Sequence, residues 1–166
     1  RSGKIAAEGV IGVYTHPGDQ IVSVVELNCE TDFVARSQDF RDLAKDIAMQ
    51  VAAMKPTYVS IESIPASVIE KEKEIALEQL NENQRKNADK ILEGKIQKFY
   101  EETVLSCQVY IKDETGKKSI KDIVDALSAK CGEKLNIRRF ERIEVGEGIE
   151  KAASDFVAEV AAMAQN

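Results

Sequence analysis

The alternation of apolar and polar positions divides the chain into strands and helices before any single residue is weighed. Residues 10–16 read as a strand, and Pro17-Gly18-Asp19-Gln20 supplies turn chemistry. Residues 21–27 are rich in β-branched side chains, and Val25, Leu27 and Cys29 fall on one face at period two. These two segments are expected to pair as an antiparallel hairpin. Phe40, Leu43, Ala44, Ile47, Ala48 and Val51 then recur at helical spacing behind Ser37 as N-cap, predicting a helix over 38–53 that stops near Lys55-Pro56.

After a connection over 58–64, Val68, Ile69, Ala76 and Leu80 share one face of a highly charged segment. The run Glu70-Lys71-Glu72-Lys73-Glu74 reads as its solvated side. Polar residues 81–87 break the chain. Ala88, Ile91, Leu92, Ile96, Phe99 and Val104 form the next stripe, so 67–104 is expected to be a helical hairpin. Leu105, Cys107, Val109 and Ile111 alternate cleanly and predict an extended segment or strand, and Asp113-Glu114-Thr115-Gly116 turns the chain. Ser119 with Asp122 resembles a capping box, opening a helix with Ile120, Ile123, Val124 and Leu127 inward and Gly132 at its end. A long strand follows over 135–145, whose alternation slips between Ile137 and Phe140 and so predicts a bulge. Val145-Gly146-Glu147-Gly148 breaks it, and Phe156, Val157, Val160 and Ala161 mark a final helix. The expected class is α+β: a small antiparallel sheet with helices packed on one face and a helical hairpin insertion. The expected division is a residual linker over 1–8, a core over 9–149 and a C-terminal helix over 150–166.

The short link Asn28-Cys29-Glu30-Thr31-Asp32-Phe33-Val34 joins strand to helix and sets an aromatic beside a carboxylate. Two readings stand side by side. Isolated aromatics are mostly core residues, so Phe33 would fold inward while Asp32 caps a turn. Alternatively, the pair enters a groove on a partner and fixes orientation there.

Composition narrows the function. A chain of 166 residues can bury about 70% of its unfolded surface, so one domain or two small lobes fold without staples. A net charge of −6 and a pI near 5.0 argue against nonspecific nucleic-acid binding, since that term comes from basic side chains replacing counterions. No apolar run is long enough to span a bilayer. Cys29, Cys107 and Cys131 have no paired or zinc-type spacing, fitting a reducing compartment. His16, the only histidine, lies in a turn. No phosphate-cradling glycine loop, metal-ligand cluster or nucleophile elbow is present, so neither a catalytic constellation, a metal site nor a cofactor is expected.

Several separated motifs carry a resemblance. Ile5-Ala6-Ala7-Glu8-Gly9-Val10, Glu26-Leu27-Asn28-Cys29-Glu30-Thr31-Asp32-Phe33-Val34-Ala35-Arg36, Ile47-Ala48-Met49-Gln50-Val51-Ala52-Ala53, Lys55-Pro56, Leu92-Glu93-Gly94-Lys95, Asn136-Ile137-Arg138-Arg139-Phe140 and Val145-Gly146-Glu147-Gly148-Ile149-Glu150-Lys151 resemble translation elongation factor Ts, in the family's order. The resemblance implies a guanine nucleotide exchange factor for elongation factor Tu, with no enzymatic chemistry of its own. It implies partner contacts at Thr31, Asp32, Phe33, Val34, Met49 and Gln50, where the matching phenylalanine enters a pocket of the GTPase domain. Gln50 stands where many relatives have histidine. The motif order is that of short-core members, which implies a homodimer. A bacterial cytoplasm is the expected setting, with plastid or mitochondrial matrix as alternatives. The chain starts where the linker of the family's amino-terminal helical module would end, so this sequence is expected to lack that module. Two competing readings are an enzyme with a cysteine nucleophile and a structural ribosome-associated protein.

Overall fold

The computed structural model describes residues 5–150 and 159–164. Three strands form one antiparallel sheet in the order β1-β2-β3: β1 is Glu8–Thr15, β2 is Ile21–Cys29 and β3 is Asn136–Glu144. The central strand is therefore the second in sequence, and the third returns from the far end of the chain. Val25, Leu27 and Cys29 are fully buried, as their period-two spacing requires.

The helices are α1 (Asp32–Ala35), α2 (Gln38–Met54), α3 (Ala66–Glu78), α4 (Glu82–Arg85), α5 (Ala88–Thr103) and α6 (Ile120–Cys131). Phe40, Ala44, Ile47, Ala48 and Val51 of α2 lie on the sheet and meet Leu105, Ile120 and Val124 in one cluster. This single layer of helix on sheet is the expected α+β arrangement. Gly12 makes the approach of α2 to β1 possible, because a Cβ there would collide with the Ala44 carbonyl and lie 3.0 Å from the Ala44 Cβ. Lys55 ends α2 in the left-handed region at φ 48°, where its N–H still donates to Val51 O, and Pro56 follows.

The slip expected in the third strand is present. Glu26 pairs with Arg139 and Leu27 with Ile137, which leaves Arg138 as the extra residue of a bulge. The bulge turns both Phe140 and Ile137, three residues apart, toward the core.

Three local expectations need correction. Residues 81–87 are not a plain break, because Asn81 and Gln84 form a reciprocal capping box around the one-turn α4. The alternation over 105–111 does not make a strand: Leu105–Cys107 is a 3₁₀ turn, and only Val109 bridges to Ser119. The buried positions there are Leu105 and Gln108, three apart, whereas Val109 and Ile111 are exposed. Helical spacing at a turn and period two along a strand are easily confused in so short a run. Ser37 does precede α2, but its hydroxyl donates to Val34 O at 2.7 Å and does not cap the helix. Of the expected C-terminal helix, Phe156 and Val157 lie outside the described residues, while 159–163 are helical.

Candidate functional site

The link between β2 and α2 is a built turn. Cys29 ends β2 fully buried, and its thiol donates to Thr31 O at 3.1 Å. Thr31 takes extended dihedrals and caps α1, its Oγ1 accepting from the Val34 N–H at 3.3 Å. Val34 and Ala35 insert into the core at 8% and 5% exposure. With two consecutive residues of a single helical turn pointing inward, the preceding two must point out. Phe33 is 81% exposed, and Asp32 forms an ion pair with Arg36 on the same outer surface.

The inward reading of Phe33 is thereby overturned, and so is the capping role for Asp32, which belongs to Thr31. Val34 moves the other way. It anchors the turn and offers no free surface to a partner. Thr31 is half-buried, and its hydroxyl is committed to Glu133 Oε2, to which it donates, and to the Val34 N–H, from which it accepts.

The turn is braced from three sides. Asn28 Nδ2 donates to Glu26 Oε2 at 3.0 Å and to Glu8 O at 3.3 Å. That amide, with Arg139 and Arg138 beside it, holds the Glu26 carboxyl below its ordinary value. Glu133, just past the end of α6, accepts from the Glu30 and Thr31 N–H groups at 3.0 Å each and from the Thr31 hydroxyl at 2.6 Å. In return Glu30 Oε2 accepts from the Lys134 N–H at 3.2 Å. Sequence reasoning missed Glu133. A single glutamate after a helix-ending glycine carries no signal for a contact about a hundred residues back.

Met49 and Gln50 lie far along α2, roughly 16–18 Å from its first residue at 1.5 Å per residue. Met49 is half-buried at the surface. Gln50, where the resemblance implies a partner contact, is fully buried. Its Oε1 accepts from Ile111 N–H at 2.9 Å, and its Nε2 donates to Val109 O at 3.0 Å and Gln108 Oε1 at 3.3 Å. Gln50 faces the 108–111 segment, so it presents no surface to a partner.

Two of the three thiols, Cys29 and Cys107, are ill suited to nucleophilic chemistry. Burial pushes Cys29 up to about 11, with the Glu133 carboxylate adding to it, and burial also raises Cys107. His16 lies in the exposed turn with its Nδ1 3.0 Å from the Tyr14 hydroxyl. Among the described residues no group of three or more His, Cys, Asp or Glu could hold a metal ion, and no helix is long and apolar enough to cross a membrane.

Comparison with known proteins adds an independent line. A family model described as Elongation factor TS matches residues 1–117. Elongation factor Ts of Desulforamulus reducens is 53% identical over 164 residues, an alignment covering 98% of this chain and 75% of that protein. Elongation factor Ts of Carboxydothermus hydrogenoformans is 49% identical over 164 residues, with the same shares covered. Elongation factor Ts of Thermotoga maritima is 48% identical over 150 residues, covering 90% of this chain and 74% of its own length.

Proposed function

Because the chain belongs to the elongation factor Ts family, we propose that it is a guanine nucleotide exchange factor for elongation factor Tu, acting through Asp32 and Phe33. The observation that carries this reading is an 81% exposed phenylalanine on a turn whose neighbours are buried and whose backbone is braced. A large apolar ring held in water is an unfavourable arrangement for the free protein. It becomes favourable when a partner's pocket covers it, and aromatic anchors of this kind dominate interface energetics.

The mechanism follows from the rigidity of the support. Phe33 enters an apolar pocket between helices of the partner's GTPase domain, with the Asp32 carboxylate beside it at the rim. The displaced helix shifts the ligands of the partner's Mg²⁺, an ion that demands near-octahedral geometry. Misplaced ligands no longer neutralise the phosphates, and GDP leaves. Linkage requires that GDP weaken this chain's binding by the same factor, so the nucleotide-free partner binds best. The half-exposed Met49 supplies a second contact along α2.

Release of labelled GDP from loaded elongation factor Tu tests the reading. The chain is expected to accelerate release, and Phe33→Ala to lower the second-order rate constant about 30-fold, the equivalent of a 2 kcal/mol anchor. Unchanged release with Phe33→Ala would take the anchor role from Phe33, and no acceleration by the parent chain would favour a structural, ribosome-associated role instead.

Self-association is part of the same proposal. Ile11, Val13 and Ile143 are exposed on the sheet face opposite α2, where Val13 pairs with Val24, Ile143 with Val22 and Ile11 with Glu26. An uncovered apolar sheet face of this kind supports a homodimer, and sedimentation of the chain against Ile143→Lys would test it. The relatives named above are bacterial, which supports a bacterial cytoplasmic setting.

A further inference from the structure

We propose that Glu133 is a positioning residue for exchange, holding the 30–33 turn so that Phe33 is presented in the orientation its partner accepts. The inference rests on the exchange reading above and adds to it a residue from the opposite end of the chain.

The turn cannot hold itself. A four-residue helix forms too few internal hydrogen bonds to offset the ordering of its backbone, and Phe33, being exposed, gains little from the fold. What fixes its direction is the path of the backbone from Cys29 to Val34. The two N–H groups that enter the turn, from Glu30 and Thr31, converge on a single oxygen of Glu133 at 3.0 Å each. The other oxygen takes the Thr31 hydroxyl proton at 2.6 Å. That bond orients the hydroxyl so that its lone pair faces the Val34 N–H, which it accepts at 3.3 Å. One carboxylate therefore satisfies two backbone donors and also sets the direction of the helix cap.

Glu133 is itself anchored. Gly132 ends α6 in the left-handed region at φ 71°, and the Ser128 hydroxyl donates to the Glu133 carbonyl at 2.5 Å. Lys134 N–H donates to Glu30 Oε2 at 3.2 Å, so the two turns hold each other. The arrangement needs two acceptor oxygens at this length. Glutamine offers one oxygen and places a donor against the remaining donors, and aspartate is one methylene short. A ring that must be oriented during binding costs affinity relative to one already oriented, so a loosened turn would impair exchange without removing any contact to the partner.

Two measurements test this. In the free chain, hydrogen exchange of the Glu30 and Thr31 amides is expected to be at least tenfold faster in Glu133→Gln, while amides in the β2–β3 pairing are unchanged. In GDP release, Glu133→Gln is expected to raise the half-saturating concentration about tenfold. Combined with Phe33→Ala it is expected to add nothing, since no ring is left to orient. Effects that multiply in the double variant, or unchanged amide exchange, would overturn the proposal. Normal release by Glu133→Gln, with Phe33→Ala still impaired, would overturn it and leave the exchange reading standing. Normal release by Phe33→Ala would sink the anchor role of Phe33, and with it the presentation role of Glu133, whereas no acceleration by the parent chain would sink the exchange reading itself. Should Glu133→Gln fail to fold, Thr31→Val removes the shared hydroxyl with the carboxylate intact; faster exchange of the Val34 amide with a raised half-saturating concentration would support the proposal, and neither change would overturn it.

Discussion

The Gln50 amide behaves as a short length of backbone would. It accepts one N–H and donates to one carbonyl of the 108–111 segment, so that irregular stretch is tied to α2 by a side chain instead of a strand. Gln108 extends the tie by donating to Glu102 O at 3.0 Å. Truncating Gln50 would strand several groups away from water, each costing about 1–3 kcal/mol. Gln50→Ala is therefore expected to lower the unfolding free energy by about 3 kcal/mol, read from urea denaturation at unchanged m. A loss under about 0.5 kcal/mol would mean that water replaces the amide. This residue was not legible from sequence: helical periodicity put it beside the apolar face, but only a distant segment decides whether a polar residue there meets solvent or a partner. Phe33 was half legible. Its place between two rigid elements was visible, whereas its outward direction depends on Val34 and Ala35 filling the core.

At the scale of elements, close approach and capping do most of the specifying. Gly12→Ala is expected to push α2 off β1 and cost about 3 kcal/mol, at the upper end for overpacking because the obstacle is backbone. A thermal melt within a degree or two of the parent would show that α2 can shift freely. The loop before α6 is held by Asp113, whose carboxylate accepts from the N–H groups of Lys118, Lys117 and Thr115 and from the Thr115 hydroxyl. Those donors, the Lys118 N–H foremost, draw its pKa down to about 2 from an ordinary value of 3.8. A depressed acid stabilises the fold wherever it is ionised in both states, and its contribution is lost as pH falls from about 4 toward about 2. Asp113→Asn should therefore flatten that part of the stability-against-pH curve; an unchanged slope between pH 4 and 2 would remove Asp113 from the acid response. The turn, the Ser119–Asp122 capping box and the strand bulge were legible because each is local chemistry. The segment over 105–111 was misread because its pattern fits two periods and tertiary burial chose between them.

The whole molecule divides into a core and an appendage. The core cluster draws residues from β2, α1, α2, α6 and the Leu105 turn, and none from α3, α4 or α5. The hairpin has its own small interior: α3 packs on α5, and Ala76, Leu80 and Ile96 are buried. It joins the rest at a root where Thr57 and Tyr58 N–H groups donate to Thr103 O at 2.8 and 3.0 Å, and Leu105 N–H donates to Tyr58 O at 2.8 Å. Its helical stripes were legible, but whether they lie on the sheet depends on the sheet already being covered by α2, which no local pattern reveals. If the root and the core are sufficient, residues 62–101 can be replaced by a six-residue Gly-Ser linker, which reaches about 20 Å when extended. The shortened chain is expected to unfold in one cooperative transition with a smaller m, because less surface is exposed. Its limiting rate of GDP release should stay within about threefold of the parent, since Asp32, Phe33 and Glu133 all belong to the retained part. Loss of the cooperative transition would make the hairpin a structural member of the core, whereas a folded chain with no release activity would move the exchange surface onto the hairpin.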